Sequence, residues 1–312
     1  MFEGFRVSVE FKSGLHVSRR IVLIVLLLVV LLVCSCLVVY VLVDNNAGGS
    51  VHVKSEVELR KAIAGVQFGE SVVIVLDCDI SLIGTITVPV GVDVTLQSNG
   101  GVGFFKLFGP NGDAVLGVEG GGVLRLNGVV VTHASGDYGR GVWVNSGGKL
   151  VLYDGEISNN NDAADVYGGG NGGGVYNDGI FEMYGGVISG NVAPSGGGVC
   201  NSGTFSMFGG EISGNTATYP YRSNSIGSGG GGVHSRGVFS MYGGVISGNT
   251  AGWGGGVYLN GGSFELLDGV ISGNVAVNAG GVYHNWGTFN VEGGVISGNV
   301  ADVNGDVYNY KL

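Results

Sequence analysis

The chain has 312 residues, of which 65 are glycine and 4 proline, long enough for one large domain or two modest ones. Lys and Arg number 14 against 24 Asp and Glu; four of the basic residues precede Ile21, so the rest carries 10 against 22, a net of −12. A body this acidic excludes attachment to nucleic acid or anionic lipid by general electrostatics. Apolar residues recur periodically among the glycines, which argues against disorder and makes the glycines corners of positive φ.

In chain order, residues 1–20 are a short tail holding Arg6, Lys12, Arg19 and Arg20. A run of 23 uncharged residues follows, beginning at Ile21 and ending at Val43. As a helix it spans the roughly 30 Å of a bilayer's hydrocarbon core, and it is longer than the apolar core of a cleaved signal peptide. The basic residues before it predict a single-pass signal-anchor in the cell membrane, with the N-terminus cytoplasmic and everything after Val43 extracellular. The alternative is a long signal peptide cut near Ala47. Val33-Cys34-Ser35-Cys36 resembles a lipoprotein processing site, but apolar residues 37–43 make a poor start for a mature lipoprotein. The other two cysteines, Cys78 and Cys200, fall in different parts of the chain, and spacing alone argues no disulfide between them.

Residues 44–50 form a polar linker. Ser55-Glu56-Val57-Glu58 reads as a capping box opening a helix over 55–64, with Val57, Leu59 and Ile63 available for an apolar face. Strands are predicted at 71–77, 85–90, 92–97, 104–108, 122–126 and 129–132, β-branched runs parted by glycine or asparagine. Helix and short strands together suit the cap and first coils of a solenoid, over 51–140.

From Gly141 to the end, at 312, a repeat takes over. Ile157-Ser158-Asn159-Asn160 recurs as Ile188-Ser189-Gly190-Asn191 and again at Ile212, Ile246, Ile271 and Ile296. The closing residues Asn160, Asn191, Asn215, Asn249, Asn274 and Asn299 are 31, 24, 34, 25 and 25 residues apart. A period near 25 with whole insertions marks a solenoid. Starting from Val175, the unit is V-Y-N, a glycine turn, F-x-M, a double glycine, V-I-S-G-N and a triple glycine. Three strand segments per coil, alternating with period 2, predict a parallel β-helix of about ten coils. Four apolar columns form its core: Val142 to Val307, Phe181 to Phe289, Met183 to Val291 and Ile157 to Ile296. The asparagines are expected to hold one corner in left-handed backbone, as a structural ladder bonded from copy to copy.

The unit I-S-G-N-x-A…G-G-G-V-Y-N resembles the repeats of right-handed parallel β-helix surface proteins, among them polymorphic outer-membrane proteins and archaeal adhesin-like proteins. Gly197-Gly198-Val199, Gly255-Gly256-Val257 and Gly280-Gly281-Val282 answer to their G-G-A-[ILV] motif, and the I-S-[GN]-N phrases to F-x-x-N. The resemblance covers about 141–310, with a weaker likeness to a pectin-lyase-like start from Val51. It implies an all-β, right-handed β-helix acting as an adhesin-like module at the cell surface, with a glycan or a surface protein as partner. The alternatives are a polysaccharide lyase or glycoside hydrolase on the same fold, and a surface-layer or spacer element making homotypic contact through its last coil.

Candidate chemistry is sparse. Asp77-Cys78-Asp79 offers two carboxylates expected on one side of a strand, without a partner base, and reads as a solvated edge. His16, His52, His133, His234 and His284 have no neighbours at metal-ligand spacing. His234 and His284 read as surface positions. No catalytic residue, metal or cofactor is therefore assigned. Binding is better served. The insertions 161–171 and 218–228 enter at one corner, and solenoid insertions at one corner collect on one face. They carry Tyr167, Tyr219, Tyr221 and Arg222, and Trp253 sits at the same corner one coil on. These five are the candidate ligand-binding residues, since aromatic rings stack on sugars and hydrogen-bond at their tips. A second row, Trp143, Tyr176, Tyr258, Tyr283 and Tyr308, is expected to point outward.

Overall fold

The computed structural model describes residues 49–99, 103–162, 171–218 and 229–309. They build a parallel β-solenoid of about ten turns. One face carries ten stacked levels, Val51–Val53, Ser71–Leu76, Asp93–Ser98, Val123–Thr132, Lys149–Ser158, Ile180–Met183, Thr204–Met207, Val238–Met241, Val257–Leu266 and Val282–Val291. Every pairing between these strands is parallel and nearly all are in register, so like residues of successive copies become direct neighbours. Phe181, Phe205, Phe239 and Phe264 stack at 4.6–4.8 Å between centroids with planes 5° apart, all fully buried. The Met column pairs Met183 with Met207 and Met207 with Met241, and the Ile column pairs Ile157, Ile188, Ile212, Ile246, Ile271 and Ile296 in turn. Burying each phenylalanine contributes about 2–3 kcal/mol, realised only when the next coil covers it.

Each later coil has four strand segments rather than three. The fourth is a short strand after the asparagine, as in Val192–Ala193, Thr216–Ala217, Thr250–Trp253, Val275–Asn278 and Val300–Val303, and these five form their own sheet. Its inward residues are Ala193, Ala217, Ala251 and Ala276. At two to four residues each, with at most a single buried alanine, these strands are too short for period 2 to stand out.

The helix Glu56–Ala64 is N-capped by Ser55, whose Oγ accepts the Glu58 N–H at 3.3 Å, while Glu58 reaches back to the Lys54 N–H at 2.7 Å. Leu59 and Ile63 pack on the first coil, whereas Val57 is 76% exposed, one position off the buried face. Strands at Ile80–Ser81 and Leu116–Val118 escaped the sequence pattern, being only two and three residues long. Asp77, Cys78 and Asp79 lie in a turn rather than a strand. Asp77 takes hydrogen bonds from His52 (2.9 Å) and Asn99 (2.7 Å), and Asp79 takes the Lys106 N–H at 2.9 Å. Both carboxylates thus serve turn backbone and neighbours.

At the asparagine corner the backbone differs from expectation. The left-handed residue is the one before the ladder position: Gly190, Gly214, Gly248, Gly273 and Gly298 at φ 62–69°, and Asn159 at φ 55° in the first copy. The ladder asparagines point inward instead, and all but Asn299 are fully buried. Each of Asn160, Asn191, Asn215, Asn249 and Asn274 donates Nδ2 to the Oδ1 of the next at 2.9 Å. That same Oδ1 accepts the preceding asparagine's backbone N–H at 2.9–3.0 Å. From Asn191 on, the second Nδ2 proton reaches an isoleucine carbonyl of the previous coil, for example Asn249 to Ile212 at 2.9 Å. The row begins at His133, whose Nδ1 meets Asn160 Oδ1 at 2.8 Å, and closes on Asp306, whose Oδ1 accepts both the N–H and Nδ2 of Asn299 at 2.9 Å. Asp306 lies outside the repeated phrase, so the phrase did not reveal it.

Among the described residues no helix is long and apolar enough to cross a membrane. The run from Ile21 to Val43 lies outside them.

Candidate functional site

The corner where the short fourth strand meets the next V-x-N strand is tightly turned and chemically varied. Glycines force it: Gly254 turns at φ 60°, and a Cβ there would come within 2.1 Å of the Val257 carbonyl. A Cβ on Gly229 would come within 2.2 Å of the Tyr258 ring. With only hydrogen at these positions, the end of one strand closes onto the outward side chains of the next.

Those side chains occupy the middle position of V-x-N, paired in register as Trp143, Tyr176, Cys200, His234, Tyr258, Tyr283 and Tyr308. The third position faces inward, where Asn177 Nδ2 donates to Asn201 Oδ1 at 2.8 Å and Asn201 Nδ2 to Ser235 Oγ at 3.1 Å. The outward row is only partly exposed. Cys200, His234 and Tyr258 are buried at 0–1% exposure, against the sequence expectation for His234. His284 is buried as well: it falls in register with Leu259 at the inward position, bonded to Asn309 at 2.9 Å, and Asn285 is the extra residue.

Trp253 ends its short strand with its ring 6.5 Å from Tyr258 and 6.1 Å from Tyr283. Tyr258 meets Tyr283 edge-on at 5.5 Å, and Tyr283 stacks on Tyr308 at 4.6 Å. Trp253, Tyr283 and Tyr308 remain half-buried, leaving ring area open beside the corner. Three coils before Tyr258, Arg140 lies over Tyr176 at 5.2 Å and pairs with Asp162 at 2.9 Å.

Burial sets the ionisation here. It pushes the Tyr258 phenol up to about 12 and the Cys200 thiol up to about 11. It lowers His234 to about 3, with Arg236 adding repulsion, so the imidazole is neutral. Its Nδ1 hydrogen-bonds with Ser195 Oγ at 2.5 Å, and its Nε2 has no partner. Burial also raises the Asp162 carboxyl, against the pull of Arg140. A thiol and an imidazole held neutral in this way are poor nucleophile and base. Among the described residues there is no group of three or more His, Cys, Asp or Glu placed to hold a metal.

Of the five candidate ligand-binding residues, Trp253 is placed at this corner. Tyr167, Tyr219, Tyr221 and Arg222 lie outside the described residues. The residues bounding their insertions do lie here: Asn171 bridges to Ser195, and Gly229 to Trp253. A further aromatic ladder, Tyr153, Tyr184, Phe208 and Tyr242, escaped the sequence reading although each residue directly follows the F-x-M segment or its counterpart. Its rings stack at 4.7–5.4 Å and are 41–47% exposed. Their faces cover one another along the stack, so edges rather than faces meet solvent, and the ladder is a poor platform for sugar.

Comparison with family models, with curated proteins and with solved structures returned no match.

Proposed function

We propose that this chain is a membrane-anchored binding module of the cell surface, adhesin-like, whose β-helix presents the Trp253 corner to a glycan or a surface protein. The observation that carries this reading is the packing of Trp253 and Tyr283 against buried Tyr258, with Tyr308 stacked on Tyr283, at the corner that both insertions enter. Half-exposed aromatic rings with polar tips offer large contact area at little entropic cost, the chemistry of sugar and protein recognition. The repeat's resemblance to surface proteins and the run from Ile21 to Val43 support the placement. Trp253→Ala with Tyr283→Ala is expected to lower retention on a glycan array or in a cell-binding assay by at least tenfold, with an unchanged β-rich spectrum. Unchanged retention would remove this corner, and release of unsaturated or reducing sugars would replace the reading with an enzymatic one.

A second reading is favoured by the last described coil, where Val291, Val295, Val300, Val303 and Val307 are 38–60% exposed. Exposed valines in such number suit a second copy, making the protein a spacer that engages its own kind. Dilution-dependent size in solution would support that reading; a constant monomer would end it.

A further inference from the structure

A separate concave site lies at the asparagine corner of the earlier coils, three coils away from Trp253. It encloses about 520 Å³, and its walls include Lys106, Phe108, Asp137, Glu156, Ser158 and Asn159. That volume lies in the range of small-molecule pockets.

Asn159 singles this corner out. In the five later copies its place is taken by glycine at φ 62–69°, whereas Asn159 itself adopts φ 55°. Left-handed backbone costs a residue with a side chain on the order of 1 kcal/mol, less for asparagine than for most. The repeat thus departs from its own rule in the coil that walls the cavity, and such departures gather at binding sites. The neighbouring coil accommodates it: a Cβ on Gly190 would stand 2.8 Å from Asn159 Oδ1.

The lining carries charge of both signs. Lys106 and Glu156 both pair with Val130 from opposite sides, which sets them two rungs, or about 10 Å, apart across the mouth. Asp137 adds a second carboxylate. Ser158, 3% exposed, holds its hydroxyl to Glu156 at 3.3 Å. Phe108 supplies an apolar wall, with the Lys106 nitrogen 6.0 Å from its centroid. His133 also borders the cavity, but both its ring nitrogens are engaged, by Asn160 and by the Asp113 carbonyl. Alternating donors and acceptors beside one aromatic wall, with two carboxylates against one ammonium, fit a neutral hydroxyl-rich molecule and oppose an anion.

We propose that this corner is a second binding site, for a neutral saccharide of one or two rings, independent of the aromatic corner. The test is calorimetry of the full chain with cellobiose, lactose and N,N′-diacetylchitobiose, and with digalacturonate as the anionic control. At least one neutral disaccharide is expected to bind. Asn159→Gly restores the glycine of the other copies, so the fold is kept and the melting temperature held or raised. It is nevertheless expected to weaken binding about tenfold, the loss of one hydrogen bond to ligand, and Glu156→Gln is expected to weaken it as well. Trp253→Ala should leave this affinity unchanged, which separates failure here from failure of the aromatic corner. No neutral disaccharide binding, binding that both variants leave intact, or a preference for digalacturonate would each overturn the proposal.

Discussion

Two corners of the same coil behave oppositely. At the asparagine corner every copy from Asn160 to Asn274 donates the same amide to the next asparagine in line. At the aromatic corner the equivalent position changes with each coil, from Tyr176 to Cys200, His234 and Tyr258. The difference follows from where the side chains point. An inward amide buried among apolar columns must have every donor and acceptor met, and in a parallel stack the next copy of itself meets them. An outward side chain needs only a tolerable fit beneath the neighbouring strand, so its chemistry is free to vary and to recruit a partner.

Removing a rung should show the contrast most strongly. Asn249→Ala leaves Asn215's backbone N–H and Nδ2, the Ile212 carbonyl and an Asn274 acceptor short of partners. The expected loss is about 3–4 kcal/mol, read from chemical denaturation; a loss below about 1 kcal/mol would mean that the ladder is incidental.

The aromatic corner should respond to acid instead. His234 is held at about 3 in the fold, below an unfolded value of about 6.5, so between the two the unfolded chain binds the extra proton. Its contribution is full above about pH 6.5 and shrinks as pH falls toward 3, by about 3 kcal/mol at pH 4. His234→Phe, which keeps an aromatic ring in the row, should flatten that part of the stability-versus-pH curve. An unchanged slope would show that other groups set it.

A smaller effect is expected at the end of the ladder. Asp306→Ala removes the acceptor for Asn299, but Asn299 is 8% exposed and water can substitute. A loss of about 1 kcal/mol is expected, well below that for Asn249, and equal losses would deny the ladder any difference between middle and end. Smallest in stability is Trp253→Ala, about 0.5–1 kcal/mol for its two tilted ring contacts. A much larger loss would make Trp253 a packing residue and weaken its assignment to binding.

Much of this architecture was legible in the residues themselves. A phrase repeated near every 25 residues, with Val, Phe, Met and Ile at constant offsets, determined the stacking, the parallel register and the core columns, because each coil buries its apolar face only against a copy of itself. The same regularity identified the asparagines as structural and the insertions as the places where the rhythm breaks. Tertiary structure alone decided the rest. The fourth strand is too short to show a period. Asp306 joins the ladder from outside the I-S-x-N phrase, at the residue before Val307. His234 and His284 are polar residues whose burial depends on neighbouring coils, and Trp253 meets Tyr283 only because a glycine corner turns one strand onto the next. Sequence determines what repeats, since repetition is a local property; what closes over a corner depends on the packing of segments that no period relates.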